Sequence, residues 1–250
     1  MMLVVAVALS TATYAWFTSA TAVTATSITM EAGTSATSAL GIAWNASAGT
    51  PNTPAFNSGY TTQITADAPS AIQPAAPAAL TDAEPVFKTA YIDAGGNFTA
   101  NGETTPVYRF ANDTASSQLI HVANLATSGT TGVKVVINVA DPDDGSECKA
   151  LVRVAIFEVA GETPTWTYKG LMSGGTSAAN DTAVGAIAKD ASAAALLTGT
   201  STAEVALGNI AAQTEKTYAV YVWLDGALFN EAQSGKKAKV GLTFSAVAAA

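Results

Sequence analysis

Apolar and polar residues alternate with period two along much of this chain. In residues 133–139, Val133, Val135, Ile137 and Val139 share one face, with Lys134, Val136 and Asn138 between them. That is the spacing of a half-buried strand. Residues 240–247 repeat it with Val240, Leu242, Phe244 and Ala246. Residues 151–159 (LVRVAIFEV) and 217–224 (TYAVYVWL) are dense in β-branched and aromatic side chains, which favour strands. In the first of these, Arg153 and Glu158 fall on opposite faces, which places one charge at a strand end. Further strands are predicted at 23–31, 38–44, 60–66, 85–92, 105–111, 117–125 and 203–210. Many short strands separated by Gly, Pro, Asn and Asp predict an all-β chain, a single β-sandwich or jelly-roll domain. Only residues 191–198 (ASAAALLT) read as a helix, of two turns.

Two stretches read as loops. Residues 67–85 carry Pro69, Pro74, Pro77 and Pro85 among alanines. Proline removes ladder donors, so this Pro/Ala-rich stretch is expected as a surface loop within one domain rather than a strand. Residues 170–182 (GLMSGGTSAANDT) are expected as a second loop. The domain division is then an apolar segment over residues 1–20 and a β-sandwich over 21–250.

The N-terminal segment departs from this texture. No charge occurs before Glu31, and residues 1–17 read MMLVVAVALSTATYAWF. The run is marginal for a transmembrane helix, which needs about 20 apolar residues. It lacks the basic n-region of a secretory signal, so the expectation is a mature segment from which a basic leader has been removed. Such a terminus needs a cover, either lipid or another protein surface. As a strand it would project Leu3, Val5, Val7, Leu9 and Phe17 to one face and could complete a neighbour's sheet. Burying five to seven such side chains yields about 10–20 kcal/mol gross, against an association cost of about 4–15 kcal/mol. As a helix it would span roughly 25 Å and pack in a central bundle, as in type IV pilins. Val4, Val5, Val7, Thr11 and Thr13 tilt the choice toward a strand.

Composition narrows the chemistry. The 250 residues include 11 Lys+Arg against 19 Asp+Glu, a net charge of −8, and only 12% are charged while 49% are hydrophobic. So acidic a chain lacks the basic surface that nucleic acid requires. One His and one Cys exclude most zinc sites, thiol redox pairs and disulfide frameworks. His121 lies within the apolar run Leu119-Ile120-His121-Val122 and reads as a structural strand residue; no G-x-S-x-G accompanies it. Cys148 reads as a free thiol. Asp141, Asp143 and Asp144, ending in Gly145, are candidate calcium ligands, but the twelfth loop position is Val152 where an EF-hand has Glu. A plain turn is the simpler reading, and no metal or other cofactor is expected. The cluster Lys236-Lys237-Ala238-Lys239 is expected to solvate a turn or protect a sheet edge. Sequons at Asn45, Asn97, Asn112 and Asn180 are candidate glycosylation sites. An acid–base carboxylate pair could be drawn only from Asp225 and Glu231, with no motif around them. The reading is therefore not of an enzyme.

Residues 9–18 (LSTATYAWFT), running into a Thr-rich strand that ends Met30-Glu31-Ala32-Gly33-Thr34, resemble the T-[YW]-A-[YWF]-F boundary of the TasA/camelysin family. Residues 218–226 (YAVYVWLDG) with the closing Leu242-Thr243-Phe244-Ser245-Ala246 resemble the C-terminal strand pair of related surface proteins. The resemblance covers about a fifth of the chain. It implies a secreted β-sandwich that polymerises into matrix fibres or bundling pili by donor-strand exchange. In that family the apolar run before the position of Tyr14 is usually cut off as a signal peptide, whereas here it stands in the chain. Type IV pilins keep theirs but carry Glu at the fifth mature position, where this chain has Val5. The metallopeptidase label of some camelysins has no zinc site to rest on in a chain with one His.

The expected function is that of a structural subunit of an extracellular, cell-surface filament, a pilus or matrix fibre. Its partners would be identical subunits in a helical homopolymer, with no small-molecule substrate and only transient membrane contact before assembly. Leu3, Val5, Val7 and Leu9 would insert into the next subunit, with Tyr14, Trp16 and Phe17 as aromatic anchors at the groove mouth. Strands around 133–139, 151–159, 217–224 and 240–247 would line the acceptor. The alternatives are a type IV pilin-like subunit with a helical core, or a membrane-anchored adhesive module whose Trp44 and Trp166 stack on glycans.

Overall fold

The computed structural model describes residues 24–33, 40–45, 54–65, 72, 74–77, 80, 82–92, 95–96, 98–104, 107–109, 119–140, 151–173, 202–226, 228–229 and 236–247. Among them the chain is almost entirely strand, in two sheets that pack as a β-sandwich. The smaller sheet has the order β12 (Thr202–Ala211), β9 (Thr130–Ala140), β14 (Lys237–Val247), β1 (Thr24–Gly33), β3 (Gln63–Thr65). The larger runs β11 (Thr165–Ser173), β10 (Val152–Ala160), β13 (Thr214–Asp225), β4 (Pro74–Pro77), β5 (Phe87–Ile92), β6 (Phe98–Thr104). Beside it, β8 (Ile120–Asn124) and β7 (Tyr108–Arg109) also pair with β13, and β2 (Leu40–Ala43) pairs with β8. One short helix, α1 (Pro54–Asn57), precedes β3.

The alternation read from the sequence builds the layer between the sheets. Val133, Val135, Ile137 and Val139 of β9 and Val240, Leu242 and Phe244 of β14 share one core with Val152, Val154 and Ile156 of β10. Tyr218, Val220, Val222 and Leu224 of β13 join the same core. The intervening residues Ala155, Phe157 and Val159 of β10 and Ala219, Tyr221 and Trp223 of β13 belong to a second cluster, with Ala75, Leu80 and Phe87. Since successive side chains leave opposite faces, β10 and β13 are covered on both sides. This is why they read as nearly continuous apolar runs rather than clean alternations.

Covering that outer face is the work of the Pro/Ala-rich stretch, which is not wholly the surface loop expected. Pro74–Pro77 forms β4, inside the larger sheet, parallel to β13 through Leu224↔Pro74 and Asp225↔Ala75 and antiparallel to β5. Its prolines occupy the two strand ends, where a missing N–H costs least, and Ala75 is 1% exposed. Ala75 also accepts a backbone hydrogen bond from Gly226 (3.1 Å). The second expected loop likewise begins inside β11, which runs on to Ser173. Neither β11 nor β6 was anticipated, and 105–111 keeps only Tyr108–Arg109 as strand. The helix expected at 191–198 lies outside the described residues.

Candidate functional site

For a protein read as a strand-exchanging subunit, the functional feature is the set of backbone edges that another strand could join. β9 lies between β12 and β14, and β10 between β11 and β13. β14 lies between β9 and β1. β13 is paired along one flank by β10 and along the other by β8, β7 and β4 in succession. The four strands expected to line an acceptor therefore have partners on both flanks. They form the middle of the two sheets, so none of them offers a free backbone edge to an added strand.

The remaining edges lie elsewhere. β1 pairs in parallel with β14 from Thr24↔Lys237 to Gly33↔Ser245, while its other flank meets β3 only at Thr29, Met30 and Glu31. Thr24 opens β1 seven positions after Phe17, so the apolar N-terminal segment feeds directly into this strand. β12 ends the smaller sheet, with Val205, Leu207 and Ile210 buried and Glu204, Ala206 and Asn209 exposed. A register shift between Ala206 and Gly208 interrupts its pairing with β9. Gly208 takes φ of 85° there, a left-handed conformation that glycine adopts without strain. Such bulges twist an edge away from foreign strands.

Three polar clusters brace the larger sheet. In the first, Arg153 Nη2 donates to Asp225 Oδ2 at 2.6 Å and Nη1 donates to the Val152 carbonyl at 3.1 Å. Arg153 is 0% and Asp225 3% exposed. Arg153 does sit near a strand end, as expected, but it is buried and ion-paired there. In the second, Glu158 lies between Lys169 Nζ (2.6 Å) and Lys216 Nζ (2.9 Å), tying β11, β10 and β13 together. Burial pushes the Glu158 carboxyl up, but the two ammonium groups outweigh it and the net shift is downward. Tyr218, its cross-strand partner, is fully buried, and its hydroxyl has no hydrogen-bond partner among the described residues. Burial, helped by the Glu158 charge, pushes that hydroxyl's ionisation upward.

The third cluster holds His121. Its Nδ1 is 3.2 Å from Glu215 Oε2, and the same oxygen accepts a hydrogen bond from the Tyr60 hydroxyl. Desolvation raises the Glu215 carboxyl, and the bonds from His121 and Tyr60 bring it below its ordinary value. Tyr60 packs with Phe56, Ala43 and Ala123, so the triad clamps the α1 segment onto β8 and β13. His121 lies within β8, in the apolar strand that its sequence surroundings predicted.

The other predicted positions scatter. Leu3, Val5, Val7, Leu9, Tyr14, Trp16 and Phe17 lie outside the described residues, as do Asn97, Asn112, Asn180, Asp141, Asp143, Asp144, Cys148 and Glu231. Asn45 is exposed in the bend after β2. Trp44 is 8% exposed, which corrects its reading as a glycan-stacking residue, since a buried ring offers no free face. Trp166 is half-buried, its ring 6.0 Å from Phe157 and 6.4 Å from Tyr221. Lys237 and Lys239 lie within β14, a strand flanked on both sides, so they protect no edge. Among the described residues no group of three His, Cys, Asp or Glu side chains could hold a metal ion, and no helix is long and apolar enough to cross a membrane.

The chain matches no family model, no curated protein and no solved structure.

Sequence reasoning missed one further group, on the outer face of the larger sheet. The Tyr168 backbone N–H in β11 donates to Asp82 Oδ1 at 2.8 Å, Leu80 is buried in the outer cluster, and Arg109 hydrogen-bonds the Tyr221 side chain with Glu84 nearby. The Thr-Trp-Thr-Tyr-Lys alternation after the Gly161 turn was the available signal for β11; nothing local to Asp82 foretold its partner.

Proposed function

We propose that this protein is the repeating structural subunit of an extracellular filament, assembled when the apolar N-terminal segment of one copy adds to the sheet of the next. The observation that carries the reading is the run of uncharged, largely apolar residues to Phe17 shortly before β1, whose second flank is paired over only three residues among the described residues. A subunit that receives a strand needs a lane with apolar side chains below it. The flank of β1 beyond its short pairing with β3 is the lane we assign to the incoming strand, rather than the bulged β12 edge or the four central strands. The sandwich supports the reading by offering a two-sheet body with an extensive apolar core among the described residues, to which an added strand could attach. Identical subunits are the partners, and the cell surface is the location that a secreted polymer of this kind requires.

The test is a titration of the domain lacking residues 1–17 with a synthetic peptide of residues 2–17, followed by isothermal calorimetry. Saturable one-to-one binding with a negative heat-capacity change, the mark of apolar burial, is expected. No binding at micromolar concentrations would defeat the proposal.

A further inference from the structure

The larger sheet ends at β11, a nine-residue strand paired in the described structure only with β10. Edge strands of this length are templates for pairing with other chains unless something covers them. Two features of β11 do so. The register with β10 passes from Phe157↔Tyr168 to Ile156↔Gly170, so Lys169 is an extra residue, and its ammonium is held by Glu158. At the neighbouring Tyr168, the backbone N–H is taken by Asp82 Oδ1 at 2.8 Å.

Asp82 arrives from the other side of the sheet. It belongs to the connection between β4 and β5, two strands that stand beyond β13 and β10 in the order. That connection crosses the outer face as a strap. Leu80, 2% exposed, anchors it in the Phe157–Tyr221–Trp223 cluster, the Glu84 charge acts on the Tyr221 hydroxyl, and Phe87 closes it with its ring 5.0 Å from Trp223. Asp82 itself is exposed, so its carboxylate serves no core; the visible contact it makes is the β11 amide.

We propose that the strap formed by residues 80 and 82–86 is an edge guard, in which Asp82 occupies the β11 backbone and keeps β11 from pairing with the same strand of a second copy. The partner it excludes follows from the symmetry of the problem, since antiparallel pairing of β11 with β11 would join two identical edges about a two-fold axis. The device directs association away from the larger sheet. It stands whether or not the N-terminal segment polymerises, because it concerns a different edge.

The test is amide hydrogen exchange by mass spectrometry on the full chain, read over residues 165–173 at low and high protein concentration, for the wild type, Asp82→Ala and Asp82→Asn. At low concentration Asp82→Ala is expected to exchange about two- to tenfold faster there, the loss of one hydrogen bond, with its circular-dichroism melting curve unchanged. At high concentration the same peptide is expected to become more protected than in the wild type as copies pair. Asp82→Asn keeps an acceptor oxygen and should behave as the wild type at both concentrations. Exchange in Asp82→Ala that is independent of concentration would overturn the proposal, as would protection equal to the wild type throughout. Asn failing to rescue would overturn the role assigned to the acceptor.

Discussion

Asp225→Asn is the most informative single perturbation of this fold. The carboxylate sits 2.6 Å from the Arg153 guanidinium, with the two side chains 3% and 0% exposed. Removing the negative charge while keeping the shape leaves the buried guanidinium without the carboxylate that balances its charge. Breaking a buried pair in this way costs about 3–5 kcal/mol, because an uncompensated charge remains in the interior. The backbone carbonyl of Asp225 would still accept from Leu228 and Phe229 at 3.0 Å, so the turn is preserved and the charge is isolated. With a urea slope of about 2–3 kcal/mol per molar, the midpoint should fall by about 1–2 M. Trp223, the cross-strand neighbour of Arg153, reports the transition by fluorescence. The pair Arg153→Met with Asp225→Leu should recover most of the loss, since well-packed apolar replacements of buried pairs are often neutral or stabilising. A loss below about 1 kcal/mol in Asp225→Asn would refute the reasoning. A double variant no better than the single would refute it equally.

Three further outcomes are expected. Glu158 and Glu215 both have carboxyls held below their ordinary value of 4.5 in the folded state, so the stability they add is fully present above that pH. It is lost as pH falls through the lowered values; urea midpoints measured from pH 7 to 3 should drop below pH 4.5, and less steeply in Glu158→Gln. Gly226→Ala should lower stability by about 1–3 kcal/mol or more, because its Cβ would be driven into the Ala90 backbone, which cannot give way as a flexible side chain does; thermal melting checks this. Glu215→Ala should release the α1 segment from β8 and β13, costing about 1–3 kcal/mol and speeding hydrogen exchange around residues 56–61, whereas His121→Gln, which leaves the Tyr60 bond, should cost less.

The sandwich was legible wherever one strand face decides burial. β9 and β14 alternate cleanly because each is covered on one face, and β13 and β10 announced themselves through sheer β-branched and aromatic density. Legibility failed where tertiary context overrides local preference. β4 is written in Pro and Ala and becomes a strand only because β13 and β5 lie either side of it with room for small side chains. The buried Arg153 was visible as an oddity in LVRVAIFEV, but its partner stands 72 positions away, beyond any spacing rule. The same holds for Asp82 and Tyr168, 86 positions apart. Trp44 could have been exposed or buried on its sequence alone, and its burial follows from the two-sheet core that Leu40 and Ile42 enter beside it.

The central claim is that the N-terminal segment makes the polymer, and negative-stain electron microscopy of the full chain beside a form lacking residues 1–17 tests it most directly. Filaments from the full chain and monodisperse particles from the truncated one are predicted. Equal assembly by both forms, or a full chain that stays monomeric in water and partitions into detergent, would contradict the account.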